Sequence, residues 1–431
     1  MKNEFLDTKE GRLRFDGCDL VGLAKEHGTP LYLMSESSIR ARIAELKSAF
    51  LDKHERVAAA YASKAFQTLD ILALVRDAGL HLDVVSGGEL FAAGKVGFPM
   101  DRVFFHGNAK SHEELAMAVD LGVGRVVVDN LSELRALDEI ARAKGRVTSI
   151  LFRITPGVDS HTHEKISTGT IDSKFGIPLD KSVRGDYLRT ALAMKGIALK
   201  GFHFHIGSQL LDRSSHLLAI DIALDLLAEC KRDYGFLAED LNIGGGFGVR
   251  YTEEDNPRPL AWFTDAMMDA IVRGCSTRGF KRPRIIIEPG RWVVAEAGIT
   301  LYSVTSIKTV PGLKKWVGVD GGMTDNIRPA MYGARYDALF ANKADAPRTE
   351  IVDIAGRCCE SGDVLIRGIT LPPAVEGDIL AVFTTGAYHH SMASNYNRVP
   401  RPALLMLDKG RARVSVRRET YEDLIARENL V

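Results

Sequence analysis

The chain has 431 residues, 45% of them hydrophobic, enough to bury a large core and to form more than one domain. Lys plus Arg balance Asp plus Glu at 56 each, so no net field draws the chain to nucleic acid or an anionic membrane, and a small zwitterionic partner fits better. No stretch has the length of a signal-peptide core or a membrane span, and the five cysteines lack CxxC spacing, so a cytoplasmic protein with reduced thiols and no structural metal is expected.

Residues 1–35, with DGCDLVGLAKEHGTPLYLMS, end in a strand-like run expected to pair with a later β-region. From residue 57 short apolar runs alternate with amphipathic stretches of helical length, the pattern of βα units. Strands are expected at 57–65, 81–86, 102–107, 125–130, 149–154, 199–205, 240–246 and 284–290, with helices such as LDILALVRDAG and SELRALDEIARAKG between them. Eight such strands close a TIM barrel; the alternative, a doubly wound open sheet, wants a GxGxxG turn that is absent. After 297 the chain turns strand-rich (ITLYSVTSIKTV, GDILAVFTTGAY, PALLMLDKGRARVSVRRE). The expected fold is α/β, a (β/α)8 barrel over 36–296, with a second, all-β domain over 297–431 completed by 1–35.

A TIM barrel carries its chemistry at the C-terminal ends of its strands. The sequence puts Lys64, Ser86, His106, Asn108, His205, Ser208, Gly244, Gly245, Gly246, Glu288 and Arg291 there. A lysine at a buried strand end is a Schiff-base candidate or a side chain snorkelling to water. The three glycines let backbone N–H groups approach a phosphate, or form only a turn. Glu288, after an apolar strand, needs a positive partner, for which Arg291 is the nearest choice. His203 and His205 share a strand face, but zinc lacks obvious further ligands; His161 and His163, like His389 and His390, are expected as exposed loop histidines.

The motifs YASKA (61–65), DVVSGGEL (83–90), FHGNAKS (105–111), HTHEKISTGTIDSKFGIPL (161–179), FHIGSQ (204–209), NIGGGFG (242–248), EPGR (288–291), VDGGMTDNIRPAMYGA (319–334), CESGD (359–363) and GAYHHSMASNYN (386–397) occur in this order. Together they resemble the diaminopimelate decarboxylases, within the alanine-racemase-like (fold type III) enzymes that use pyridoxal 5'-phosphate (PLP). The resemblance implies that Lys64 carries PLP as an internal aldimine, that His205 stacks on its ring and that Glu288 pairs with its pyridine nitrogen. Asp83, Ser208, Gly244, Gly245, Gly246, Gly290, Arg291 and Tyr388 would complete the cofactor site. Arg291, Arg328, Tyr332 and Tyr388 would contact substrate carboxylate, and Glu360 the ammonium at its far end. Cys359 would donate the proton from the second subunit of a homodimer; its plainer role is a small buried hydrophobe. YASKAF for the commoner YAVKAN, GNAKS for GNNKS, His389-His390 and Arg357-Cys358 depart from the family pattern without removing a catalytic group.

The implied reaction is decarboxylation of meso-2,6-diaminopimelate to L-lysine. Decarboxylation of D-ornithine, D-lysine or a carboxylated polyamine is the alternative, an amino-acid racemase fits the C-terminal motifs less well, and a catalytically inactive regulatory homologue conflicts with intact Lys64 and Cys359.

Overall fold

A computed structural model describes residues 4–158 and 174–429. It forms two compact units: residues 43–248 with 257–290, and residues 1–42 with 249–256 and 291–431.

The first unit is a closed barrel of eight parallel strands, Val57–Ala62, His81–Val84, Val103–Phe105, Arg125–Val128, Thr148–Arg153, Ile197–His203, Asp240–Asn242 and Arg284–Ile287, the last pairing with the first. All eight expected strands are present, and all but the one ending at Arg153 stop two or more residues short of their expected C-terminal end. The residues so released, Lys64, Ser86, His106, His205, Gly244–Gly246 and Glu288, sit in turns just past the strands. There the chain is freed from ladder bonding and side chains can converge.

The period-two pattern places Ala58 and Ala60 in the barrel interior with Phe104, Val127, Leu151 and Ile286, all at most 5% exposed. Small residues on the first strand leave room for Phe104, whose truncation to Ala would cost roughly 3–5 kcal/mol. The intervening helices start where a polar side chain caps them: Thr68 accepts from Ile71 N, Asn130 from Glu133 N, and Ser111 forms a capping box with Glu114. Gly122 ends one of them at φ +69°.

The second unit holds a nine-stranded sheet and a three-stranded one (Leu6–Lys9, Arg12–Phe15, Cys18–Asp19). Leu31–Ser35, buried along its whole length, lies between Gly298–Val310, antiparallel, and Ala403–Asp408, parallel. The N-terminal segment therefore completes the β-domain as expected. Glu350–Ala355 and Val364–Leu371, which the sequence does not single out, also pair in this sheet. Among the described residues no helix is long and apolar enough to cross a membrane.

Candidate active site

The barrel mouth is organised around Glu288, which lies one residue past the eighth strand and is 7% exposed. Its Oε1 accepts from Asn242 Nδ2 at 2.6 Å and lies 3.0 Å from His106 Nε2, while Oε2 lies 3.2 Å from His203 Nε2. Burial alone would raise its pKa, but the two imidazoles outweigh that and hold the carboxylate well below the usual range. Its partners are thus two histidines and an amide, where the sequence offered Arg291.

His203 is itself buried, and desolvation pushes its pKa down to about 4, so it meets Glu288 as a neutral N–H donor. Asn242 and His203 occupy two of a carboxylate's roughly four acceptor positions, while His106 Nε2 lies within ion-pair distance of Oε1 without a hydrogen bond. Asp83, 2% exposed, adds a second carboxylate whose Oδ1 has no hydrogen-bond partner and lies 3.7 Å from His106 Nε2. His106, His203 and Glu288, a set the sequence did not bring together and one that leaves out His205, have N and O atoms within 4.8 Å of one another.

Lys64 belongs to the 3₁₀ turn Ser63–Ala65 rather than to the first strand. Its neighbours Ser63 and Ala65 are fully buried while Lys64 is exposed. Among the described residues the amine makes no hydrogen bond or ion pair. It nevertheless acts electrostatically on Asp83, Glu89 and His205.

His203 and His205 do not act as a pair. His205 is half-buried past the strand end, where its Nδ1 accepts from Gly245 N at 3.3 Å. Burial, followed by the charge of Lys64, lowers its pKa well below the ordinary value, which leaves a neutral ring.

The three glycines are required by backbone packing. A Cβ at Gly244 would lie 2.6 Å from Phe204 O, at Gly245 2.1 Å from Glu288 O, and at Gly246 2.4 Å from Gly207 O. Gly244 N–H is spent on Asn242 Oδ1 at 3.0 Å and Gly245 N–H on His205. Among the described residues only Gly246 N–H of the three keeps no acceptor. Gly290 packs against the first strand, where a Cβ would meet Ala62 O at 2.9 Å. Ser208 is half-buried in the loop after the sixth strand.

In the other unit, Arg291 is 5% exposed, bonds the Tyr251 hydroxyl and stands 4.8 Å from the Tyr388 ring centre. Arg328, 6% exposed, donates through Nε to Tyr336 Oη at 2.9 Å. It also stands 5.1 Å from the Tyr332 ring and 5.3 Å from that of Tyr388. Its two η nitrogens make no hydrogen bond among the described residues, which leaves a planar fork for a carboxylate. Cys359 and Glu360 are exposed side by side on one turn. The adjacent Cys358 is buried, and desolvation, then Asp363, pushes its thiol up to about 11, so it is the inert member of the pair.

The sequence missed Asn242 and Tyr336 and gave His106 no partner. Asn242 is legible in retrospect as an amide in an otherwise apolar strand, and Tyr336 has no such signal. Residues 161–173 of the HTHEKISTGTIDSKFGIPL motif, His161 and His163 included, lie outside the described residues.

A PLP ring needs an amine for its aldehyde and an ionised carboxylate for its nitrogen, and the mouth supplies both in Lys64 and Glu288. Comparison with known proteins supports a PLP cofactor. The family profile described as pyridoxal-dependent decarboxylase, pyridoxal binding domain, matches residues 36–295. The diaminopimelate decarboxylase of Bacillus subtilis (strain 168) is 47% identical over 97% of this chain and 95% of its own length. That of Staphylococcus aureus (strain COL) is 40% identical over 97% and 98%. The crystal structure of the M. jannaschii diaminopimelate decarboxylase in complex with L-lysine superposes with a TM-score of 0.94 at 37% identity, covering 100% of this chain and 98% of that one.

Proposed function

The chain belongs to the diaminopimelate decarboxylase family, and on that premise we propose how its residues divide the work of the reaction. The activity is the PLP-dependent conversion of meso-2,6-diaminopimelate to L-lysine and carbon dioxide. One observation carries the assignment of roles: the buried Glu288 carboxylate is held ionised by Asn242, His106 and His203 at the same barrel mouth that presents the Lys64 amine.

When bound, PLP supplies an electron sink for the pair left behind as carbon dioxide departs. Lys64 would hold the cofactor through its amine. Glu288, whose pKa is held well below the usual carboxylate range, would pair with the pyridine nitrogen and favour its protonated form. His205, a neutral ring, would stack on the cofactor without adding charge. Asp83, Ser208, Gly244, Gly245, Gly246, Gly290, Arg291 and Tyr388 hold the remaining polar atoms, Gly246 N–H being the backbone donor still available.

Arg328 and Tyr332, with Arg291 and Tyr388, receive substrate carboxylate, and Glu360 receives the ammonium at the far end. Diaminopimelate carries both groups at its distal end, whereas ornithine carries only the ammonium. A buried guanidinium with its fork open therefore favours the former. Cys359 delivers the proton to the carbon that lost its carboxylate. The enzyme is a cytoplasmic homodimer in which Cys359 and Glu360 serve the site whose Lys64 belongs to the other subunit; exposure of both side chains supports this arrangement.

The test is cofactor dependence. Protein stripped of PLP should form no lysine, recover with added PLP and fail with pyridoxal, which lacks the phosphate. Full turnover by stripped protein would overturn the assignment.

A further inference from the structure

In the unit built from residues 1–42, 249–256 and 291–431, one buried carboxylate ties two loops together. Asp363 is 4% exposed. Its Oδ1 accepts from Met323 N at 2.6 Å and its Oδ2 from Cys358 N at 2.8 Å. Its own backbone continues the link, since Asp363 N donates to Glu360 O at 3.0 Å and Asp363 O accepts from Gly356 N at 2.9 Å. The turn 356–363 is thus closed on itself through Asp363 and bound to the segment 321–327 by the same side chain. Arg357 N adds a parallel bond to Gly321 O at 2.9 Å.

The two segments carry different chemistry. The first presents Cys359 and Glu360, while the second runs directly into the short helix Arg328–Tyr332. Both segments leave room for the carboxylate by using glycine. A Cβ at Gly322 would lie 2.4 Å from Asp363 Oδ2, and one at Gly356 2.3 Å from both carboxylate oxygens.

The loop 321–327 has its own clamp, in which Asp325 accepts from Gly322 N at 2.9 Å and from Tyr302 Oη at 2.5 Å. Asp363 is therefore a link between two braced pieces rather than the brace of either alone. A backbone N–H bonded to a carboxylate is a short, directional contact, and losing its acceptor inside the fold frees the segment it held.

We infer that Asp363 is a positioning residue that sets the Cys359–Glu360 turn, which serves the other subunit's site, against the loop leading into Arg328, which serves the site of its own chain, so that what one subunit gives to the two sites is held in one register. The inference rests on the roles given above to Cys359, Glu360 and Arg328. Asp363 touches neither the reacting atoms nor the cofactor in this account, and it acts through the turn it holds.

The experiment compares three holoenzyme variants, Asp363→Asn, Gly356→Ala and Cys359→Ala, in deuterium oxide. It reads kcat, KM, the PLP absorbance and the configuration of deuterium at the new methylene of lysine. Replacing a carboxylate by a proton at one carbon leaves a CHD centre in this solvent, so a well-placed donor gives a single configuration.

Asp363→Asn offers an N–H₂ where one backbone N–H needs an acceptor, and Gly356→Ala displaces the carboxylate without removing it. Both should keep the PLP absorbance, lower kcat at least tenfold, raise KM at least threefold and scramble the deuterium. A purely structural role would lower the melting temperature with kcat, KM and configuration unchanged, and that result overturns the inference. So does failure of both variants to fold, which would make Asp363 a folding determinant. If Cys359→Ala itself keeps wild-type rate and configuration, the assignment of the donor fails, a result separate from wild-type behaviour of the two clamp variants.

Discussion

Asn242 Nδ2 donates to Glu288 Oε1 over 2.6 Å, so the last residue of the seventh barrel strand fixes a carboxylate carried one residue past the eighth. Neighbouring parallel strands bring the two side chains to one rim, and the histidines of the third and sixth strand ends complete the set. Glu288→Gln should keep the shape and lose the charge, lowering kcat by roughly 10²–10³, the scale of removing one preorganised electrostatic contact. Asn242→Ala should lower it less, because two imidazoles remain. Wild-type kcat in Glu288→Gln would contradict the role given to the carboxylate.

Lys64→Ala should abolish turnover, together with the visible absorbance that borohydride removes from the wild-type holoenzyme. Multiple turnover in this variant would show that the amine is not the cofactor anchor.

Arg328→Leu removes a buried guanidinium whose η nitrogens are unspent. One charge-assisted bidentate contact is worth on the order of 1.5–3 kcal/mol, so KM for meso-diaminopimelate should rise roughly 10- to 150-fold. Glu360→Gln should raise it too, by leaving the distal ammonium without a counter-charge. An unchanged KM in Arg328→Leu would place the distal carboxylate elsewhere.

Buried neutral histidines make stability depend on pH. Desolvation lowers His203 to about 4, and His389, expected as an exposed loop histidine but only 1% exposed and packed on Tyr336, is lowered to about 3 by desolvation followed by the charge of Arg328. The unfolded chain takes up these protons near pH 6.5, whereas the folded chain refuses them until pH 4 or below. Stability is therefore complete above about 6.5 and falls as pH drops from there. Glu288, depressed in the fold, adds its own loss only below about 4.3. His389→Phe should lessen the stability lost between pH 7.5 and pH 5 by about 2 kcal/mol, read from urea unfolding at the two pH values. An identical loss in variant and wild type would mean that His389 is protonated inside the fold.

Much of this was legible in the chain. The eight-strand alternation and the strand ending at Ser35 follow from apolar periodicity, which the barrel and the sheet enforce through burial. The positions of Lys64 and Glu288 follow from the rule that barrel chemistry sits past the strand ends. The partners of Glu288 were not legible, because residues 106, 203, 242 and 288 meet only when the barrel closes. The sequence leaves Lys64 between a Schiff-base lysine and a side chain snorkelling to water, and in the turn Ser63–Ala65 the residue is exposed. The strand Val364–Leu371 escapes the pattern because Arg367 and Gly368 interrupt an edge strand that packs on one side only.

Sharing of the site between subunits is tested by mixing Lys64→Ala with Cys359→Ala. Random pairing gives roughly half mixed dimers, each with one site carrying both lesions and one carrying neither, so lysine formation should recover to about a quarter of wild type. Recovery no greater than the average of the parents, with mixed dimers confirmed, would place Cys359 in the same chain as its Lys64.

The most direct test of the account is steady-state turnover of the PLP-loaded enzyme on meso-diaminopimelate, L-lysine, L-ornithine and D-ornithine, with product and carbon dioxide both measured. The account predicts one L-lysine per carbon dioxide from meso-diaminopimelate and, for the other three, kcat/KM lower by at least a hundredfold. Comparable or faster decarboxylation of either ornithine or of lysine would contradict it.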